Sequence, residues 1–399
     1  MFRISETHSA RTWLLDSRAW PLDSRAWPLE SRAWPLDSRA WPLDSRTLQH
    51  GFPVAVNNNA ASAANVASAA NVASAANVAS ANEAARHEKA RPSGGTGEPL
   101  LEVRNLTVSF GKGKNRLDAL KNVSFSVYKS ETFGVVGESG SGKTTLGRTI
   151  MRIYEPDEGE IVYKGKRISG KITKAEDRQL TRGIQMIFQD PMSSLNERAK
   201  VLSIVAEGLM NTERLNRRER AAGVIKSLSE VGLRAESADR FPHEFSGGQR
   251  QRIGIARAMI MSPDFIIADE PVSALDVSIR AQVLNLMSRL QRGKGLSYLF
   301  ISHDLSVMRY ICDRIAALYR GVMVELADTE TLFGRPLHPY TKSLISAIPQ
   351  PDPDLERGKT VITYDPSAHQ YDKEPPTWRE AEPGHFVYCN DREEESYLR

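Results

Sequence analysis

The chain has 399 residues, and its 53 lysines and arginines against 49 aspartates and glutamates give a net charge of +4. So small a net charge gives no strong case for nucleic acid as a partner. Its two cysteines, Cys312 and Cys389, argue against a disulfide framework and favour a reducing compartment. No apolar run approaches the roughly 18 residues of a membrane span, and the N-terminus lacks the apolar stretch of a secretory signal. We therefore expect a cytosolic protein that can still dock on a membrane partner.

Residues 1 to about 98 do not read as a folded domain. A seven-residue unit that ends in Trp-Pro-Leu repeats over residues 16–43, and its proline excludes a continuous helix or coiled coil. A six-residue unit, Ala-Ser-Ala-Ala-Asn-Val, follows over residues 61–78 and matches no known solenoid period. We interpret this region as disordered low-complexity sequence that ends in a linker at 91–99. The alternative is that the recurring Trp-Pro is a peptide ligand for a groove.

From residue 99 to about 350, predicted strands and helices alternate as they do in an α/β domain. Alternating apolar residues predict a strand pair over 101–110 and a strand at 123–127. Short buried strands are predicted at 132–136, 184–188, 265–268, 298–301 and 315–319. Helices are predicted at 144–153, 275–291 and 338–348, and over most of 198–261. This alternation predicts a mostly parallel sheet, interrupted by a helical insert at about 190–262.

The run at 137–144 fits G-x-x-x-x-G-K-[ST], the phosphate-binding loop of P-loop nucleotidases, and lies between a predicted strand and a predicted helix. Its glycines let backbone N–H groups point at phosphate oxygens, and the helix N-terminus adds a partial positive charge. We expect Lys143 to reach the β- and γ-phosphates of ATP, and Thr144 to hold Mg²⁺. The candidate nucleotide-binding residues of this loop are Gly137, Glu138, Ser139, Gly140, Ser141, Gly142, Lys143, Thr144 and Thr145.

Two carboxylates, Asp269 and Glu270, end the apolar strand at 265–268. At the carboxyl end of a parallel strand, both side chains can face a nucleotide. We expect Asp269 to bind Mg²⁺, directly or through water, and Glu270 to polarise the water that attacks the γ-phosphate. Such a pair is weak evidence alone, but the phosphate loop in the same chain favours this interpretation.

A second glycine-containing segment, Phe-Ser-Gly-Gly-Gln at 245–249, opens a predicted helix. Ser246 and Gln249 form a capping-box pattern, which is the purely structural interpretation. Gly247 and Gly248 lower helix stability, however, and two glycines at a helix start favour the close approach of an anion. We therefore expect a second phosphate-binding feature. One nucleotide could use both features if they come from different subunits.

In this order and context the motifs resemble the ATPase subunit of an ABC transporter, with residues 245–252 as its signature motif. The resemblance implies that Gln189 is the Q-loop glutamine, which senses Mg²⁺ and contacts the membrane subunit. It also implies that Asp276 lies in the D-loop and that His303 is the switch histidine at the γ-phosphate. Phe110 fits the aromatic residue that stacks on adenine, where tyrosine is commoner. The alternative for Phe110 is a residue of the strand core.

The resemblance to the ABC family covers about residues 99–350. Within that family, the chain resembles the oligopeptide and dipeptide importer ATPases. Three runs carry it, at 188–196, 273–278 and 337–349. Residues 384–389 resemble the end of that family's C-terminal extension, which we place at 351–399. In many relatives this extension has several cysteines that bind an iron–sulfur cluster. Cys389 is the only cysteine of the extension here, whereas four thiolates are usual, so we predict no cluster.

The resemblance implies an α/β fold: a P-loop ABC-type nucleotide-binding domain with a mostly parallel sheet, an antiparallel β subdomain and a helical subdomain. It implies an ATP-hydrolysing subunit of a peptide importer, peripheral on the cytoplasmic face of the cell membrane, with ATP and Mg²⁺ as its ligands. The expected partners are a second ABC ATPase subunit (identical or paralogous), two integral membrane permease subunits and, indirectly, an extracytoplasmic substrate-binding protein. Alternatives are an importer for nickel or glutathione, a soluble ABC-type ATPase acting on ribosomes or DNA, and a degenerate regulatory copy.

Overall fold

A computed structural model of the protein describes residues 97–111, 113–190, 194–213, 215–349 and 356–398. The repeats at 16–43 and 61–78, and the interpretation given to them, lie outside these residues. The strands are β1 (Leu101–Phe110), β2 (Leu117–Val127), β3 (Thr132–Val136), β4 (Glu158–Tyr163), β5 (Lys166–Arg167), β6 (Ile184–Ile187), β7 (Phe265–Asp269), β8 (Ser297–Ser302), β9 (Arg314–Tyr319), β10 (Val322–Asp328), β11 (Thr377–Glu382) and β12 (His385–Cys389).

Helices separate most of these strands. The α-helices are α1 (Lys143–Ile150), α2 (Lys174–Gly183), α3 (Val201–Thr212), α4 (Arg217–Glu230), α5 (Gly247–Met259), α6 (Val277–Lys294), α7 (Leu305–Ile311), α8 (Thr329–Gly334), α9 (Pro339–Ser346) and α10 (Asp391–Leu398). None of the helices in the described ranges is long and apolar enough to cross a membrane.

An antiparallel sheet with the strand order β2-β1-β4-β5 begins the described chain. The strand pair predicted over 101–110 is wrong, because β1 is one strand with an irregular register between Val103 and Leu106. Asn105 has a positive φ of 49° there, and the extra residue of such a bulge moves the buried positions from odd to even numbers. The break in alternation therefore comes from a bulge within one strand.

The second sheet has the strand order β11-β12-β10-β9-β3-β8-β7-β6. Strands β9, β3, β8, β7 and β6 are parallel to their neighbours in that run, whereas β10, β12 and β11 extend the sheet antiparallel. The prediction of a mostly parallel α/β sheet is confirmed. Because β3 lies beside β8, and β8 beside β7, the carboxyl ends of these three strands meet at one edge of the sheet.

The predicted helical insert contains α3, α4 and α5, whose apolar faces join a buried cluster with the large sheet. Helix α4 starts with a capping box in which Asn216 Oδ1 accepts from the Glu219 N–H at 2.9 Å and the Glu219 carboxylate accepts from the Asn216 N–H at 2.8 Å. The domain boundaries at 98, 190–262 and 350 remain predictions.

A buried carboxylate joins the C-terminal strands to the rest of the sheet. Glu325 of β10 has no solvent exposure. It accepts the N–H groups of Leu337 at 2.8 Å and His338 at 2.9 Å, and it lies 2.8 Å from His385 Nε2 of β12. A buried charge is stable only when it is bonded in this way. Strand β12 and the start of α9 are therefore held by one side chain.

We predict that Glu325→Gln lowers the free energy of unfolding by about 1–3 kcal/mol, because an amide has one acceptor oxygen where the carboxylate has two. Chemical denaturation of the purified protein measures it. Glu382→Gln is the matched control, because Glu382 pairs with Arg335 at a solvent-exposed position and exposed pairs contribute at most about 1 kcal/mol. Equal effects of the two substitutions would contradict the prediction.

Candidate functional site

The predicted phosphate loop joins β3 to α1, as the sequence requires. Gly140 and Gly142 have positive φ angles of 81° and 108°, which favour glycine. Neighbouring backbone also excludes larger residues, since a Cβ at Gly137 would lie 2.2 Å from the Leu318 carbonyl oxygen. One at Gly142 would lie 2.4 Å from the Ala119 carbonyl oxygen. The close fit of β2 and β9 against the loop is therefore a second reason for its glycines, which the sequence did not reveal.

The Lys143 ammonium lies inside the loop, and only 5% of the residue is exposed. Its Nζ donates to the carbonyl oxygens of Gly137 and Glu138, both at 2.7 Å, and to Ser141 Oγ at 3.3 Å. Burial lowers the pKa of Lys143, while the nearby carboxylates of Glu270 and Asp269 act in the opposite direction. The loop thus holds a cation at the point where phosphate charge is expected.

Thr144 and Asp269 meet beside this lysine. Thr144 Oγ1 donates to Asp269 Oδ1 at 3.2 Å, and Asp269 is buried at the end of β7. Desolvation raises the pKa of Asp269, against the effect of the Thr144 hydrogen bond. A hydroxyl and a carboxylate are oxygen ligands of the kind that Mg²⁺ prefers. The pair fits the predicted metal position.

Glu270 is held between two polar side chains. Its Oε2 accepts from Gln189 Nε2 at 2.8 Å, and its Oε1 lies 3.0 Å from His303 Nδ1. Glu270 has a positive φ of 46°, a conformation that costs free energy for a residue with a side chain. The structure therefore brings together all three residues that the sequence predicted to be catalytic.

A cavity of about 660 Å³ opens over the loop and Glu270. Phe110 lines it and is 38% exposed, and its ring makes an edge contact with Tyr154 at 5.1 Å. This placement favours an aromatic platform for a base over a residue of the strand core. The complete lining is Phe110, Leu117, Asp118, Ala119, Lys121, Ser139, Gly140, Gly142, Lys143, Thr144, Thr145, Gln189, Glu270 and Arg320.

Sequence reasoning missed the part of this lining that comes from β2 and from the turn after β9. Lys121 and Arg320 add two cations, and the backbone bond from the Lys121 N–H to the Gly321 carbonyl oxygen at 2.8 Å brings their segments together. The Gly321 N–H donates in turn to the Ser141 carbonyl oxygen of the loop at 2.9 Å. No motif in the sequence signals these residues.

The signature residues do not line this cavity. Ser246, Gly247 and Gln249 are exposed, while Gly248 is buried at the start of α5. The capping box is present, with Ser246 Oγ 3.4 Å from the Gln249 N and Gln249 Oε1 accepting from the Ser246 N–H at 3.1 Å. Asp276, at the N-terminus of α6, is also exposed. The signature residues and Asp276 therefore lie outside the lining of the cavity.

The contact between helices α5 and α6 explains why residue 248 is a glycine. A Cβ there would lie 2.3 Å from Ile279 Cγ2 on α6, whereas one at Gly247 would meet Leu275 at an ordinary 3.7 Å. Close packing of α5 on α6 therefore suffices to require Gly248. This contact adds a packing reason for Gly248 and leaves the predicted approach of an anion to Gly247 and Gly248 untouched.

Two family models match the chain. One described as "ABC transporter" matches residues 120–273, and one described as "Oligopeptide/dipeptide transporter, C-terminal region" matches residues 324–374. The oligopeptide transport ATP-binding protein OppF of Streptococcus pyogenes serotype M1 is 56% identical over 303 residues, which are 76% of this chain and 99% of that protein. The dipeptide transport ATP-binding protein DppF of Lactococcus lactis is 50% identical over 304 residues, 75% of this chain and 97% of its own.

Solved structures agree with the family models. The ATP-binding cassette MJ0796, in a dimeric post-hydrolysis state with ADP and Pi, has a TM-score of 0.53 at 28% identity and covers 58% of this chain and 99% of its own. The protein cbiO1 of Clostridium perfringens has a TM-score of 0.54 at 26% identity and covers 60% and 92%. The predicted P-loop ABC-type fold is confirmed. The chain belongs to the ABC transporter family, among its oligopeptide and dipeptide transport ATP-binding proteins.

We predict that Gly248→Ala destabilises the protein by about 1–3 kcal/mol, because the added methyl group overpacks the α5–α6 contact. Gly247→Ala is the matched control, since it makes the same chemical change one residue earlier without that contact. Thermal or denaturant unfolding of both variants measures the difference. The packing explanation fails if Gly247→Ala is the more destabilising of the two.

Proposed function

We propose that this chain is the ATP-hydrolysing subunit of an importer for oligopeptides or dipeptides. The observation that carries the proposal is Glu270, held between Gln189 and His303 at the edge of a cavity that also contains Lys143. The chain's family membership supports transport as the purpose of hydrolysis. The peptide names of its relatives favour peptide cargo over nickel or glutathione.

Several residues in and beside the cavity would act in phosphoryl transfer, which depends mainly on positioning and charge neutralisation. Lys143 would donate to the β- and γ-phosphate oxygens of ATP, while the loop carbonyls of Gly137 and Glu138 keep its ammonium in place. Thr144 and Asp269 would hold Mg²⁺, which neutralises charge on those oxygens when it is bound. Phe110 would stack on the adenine ring, and the loop N–H groups from Gly140 onward would bind phosphate.

Glu270 would orient the attacking water and accept its proton. In the structure, its two carboxylate oxygens contact Gln189 and His303. Both partners come from segments at the ends of strands, β6 for Gln189 and β8 for His303. A bound γ-phosphate would give His303 a new partner, which would release Glu270 Oε1 for water.

The signature residues Ser246, Gly247, Gly248 and Gln249 do not line the cavity of their own chain. From a second ATPase subunit, identical or paralogous, they would add donors to the γ-phosphate. Two ATP molecules would then lie between two subunits packed head to tail. Hydrolysis and phosphate loss would remove the contacts that favour the closed dimer, so the dimer would open. The dimeric structures of the related cassette MJ0796 support the proposal of a dimer.

Opening and closing of the dimer would change the conformation of membrane-spanning partners. We propose two integral permease subunits, contacted by the helical insert and the Gln189 segment, and an extracytoplasmic binding protein that acts indirectly. The chain would then be peripheral, on the cytoplasmic face of the cell membrane. Uptake of labelled peptides by cells that lack the gene tests the transport role. Restoration by this chain, and not by its Glu270→Gln variant, is the expected result; uptake that is normal without the gene would contradict it.

Glu270→Gln should keep ATP binding and accumulate an ATP-bound dimer, with the ATPase rate lowered at least about 100-fold, because a general base is lost. Phosphate release and size-exclusion chromatography with ATP measure the two effects. Glu236→Gln, at an exposed position between α4 and α5, is the control. A normal ATPase rate in Glu270→Gln would contradict the assignment of Glu270 as the general base.

Lys143→Ala should weaken ATP binding at least about tenfold, because a desolvated charge–phosphate contact contributes more than an ordinary hydrogen bond. Titration with a fluorescent ATP analogue measures the affinity. Lys171→Ala removes an exposed lysine and should leave it unchanged. Equal affinity of Lys143→Ala and the unmodified protein would count against the phosphate-loop assignment.

A further inference from the structure

The phosphate loop contacts a helix that no nucleotide-binding motif predicts. Tyr340 lies in the first turn of α9, within the region matched by the C-terminal family model, and is fully buried. Its hydroxyl oxygen accepts a hydrogen bond from the backbone N–H of Glu138 at 2.9 Å. The two residues are 202 positions apart in the chain. The fold therefore places the Tyr340 side chain, from the C-terminal region, in contact with the start of the loop.

One peptide group of the loop is held on both of its sides. The carbonyl oxygen of Gly137 and the N–H of Glu138 belong to the same planar unit. The oxygen accepts from Lys143 Nζ at 2.7 Å, while the N–H donates to Tyr340. Because the C=O and N–H of a trans peptide point in opposite directions, a rotation of this peptide would break both bonds. The tyrosine hydroxyl thus fixes the orientation of a carbonyl that holds the lysine ammonium.

Tyr340 is itself immobilised by its surroundings. Its ring centroid lies 4.6 Å from that of Tyr319 and 5.4 Å from that of Tyr364. Its N–H donates to His338 Nδ1 at 3.1 Å, and the His338 N–H is bonded to the buried carboxylate of Glu325. Burial raises the pKa of Tyr340 to about 12, so its hydroxyl stays neutral near pH 7. A fixed, neutral hydroxyl is suited to hold a backbone N–H in one orientation.

We propose that Tyr340 is a positioning residue for the ATP site, which holds the peptide between Gly137 and Glu138 and so preorganises the loop around Lys143. The inference rests on the phosphate site proposed above. Without the hydroxyl, the loop would populate other peptide orientations, and nucleotide binding would have to reorder it. The C-terminal region of the chain would in this way set the affinity of the ATP site.

The test is Tyr340→Phe, which removes the hydroxyl and keeps the ring, in the full chain. Loss of one ordinary hydrogen bond predicts a rise of about three- to tenfold in the Kd for ADP. The Kd for AMP, whose single phosphate does not reach Lys143, should change less than twofold (roughly the scatter between related variants). Calorimetry measures both affinities. Hydrogen exchange of the Glu138 amide in the nucleotide-free protein should become faster.

Tyr364→Phe is the matched control, because its ring contacts Tyr340 while no hydrogen bond within the described residues joins it to the loop. A merely structural role would lower the thermal stability of both variants and leave the Kd for ADP unchanged. That result, or equal losses of ADP and AMP affinity, would overturn the inference.

The underlying site is tested separately by Lys143→Ala. If Lys143→Ala weakens ADP binding while Tyr340→Phe does not, the Tyr340 inference fails and the phosphate site stands. If neither variant changes ADP binding, the phosphate site fails as well. Should Tyr340→Phe not fold, the unmodified protein decides: a Glu138 amide protected from exchange supports the inference, and an unprotected one overturns it.

Discussion

The site depends on keeping one ammonium group out of water. A buried cation is stable only when oxygen atoms surround it, and the loop supplies two carbonyls and a hydroxyl to Lys143. The loop can turn around the lysine because Gly140 and Gly142 adopt backbone angles that other residues avoid. The carboxylates at the end of β7 lie close enough to favour the charged form of the lysine. The phosphate loop, α1 and the end of β7 are therefore linked by their interactions with the charge of Lys143.

The parts of this arrangement that are local in the chain could be predicted from the sequence. The strand, loop and helix around Lys143 are consecutive, and Asp269 follows directly on an apolar strand, so pattern alone indicates each of them. Side chains that reach the cavity through tertiary structure could not be predicted. Lys121 lies in β2 and Arg320 in the turn after β9, about 200 residues further along the chain. Their proximity depends on strand order and register, which periodicity does not specify.

One error of interpretation, in β1, and one ambiguity, at the start of α5, have physical causes. In β1 the alternation of buried residues breaks at Asn105, and a break in period can mean either a turn between two strands or a bulge within one. At the start of α5 the pair Gly247–Gly248 could serve an anion or a close helix contact. Ile279, which explains Gly248, is 31 positions further along the chain. The sequence shows that a glycine is present at 248, and only the fold shows that a side chain of α6 lies against it.

The capping box of α5 allows Ser246 to bind and release an anion without any change in the helix. As a helix cap, the Ser246 hydroxyl accepts the Gln249 N–H with a lone pair, and its own hydrogen is not needed for that bond. The same hydroxyl can therefore donate to an anion from outside while α5 keeps its cap. When that anion leaves, no backbone group of the helix end has lost its partner. The face that we propose for another subunit can thus be engaged and released without any local refolding, as the proposed cycle of dimer closure and opening requires.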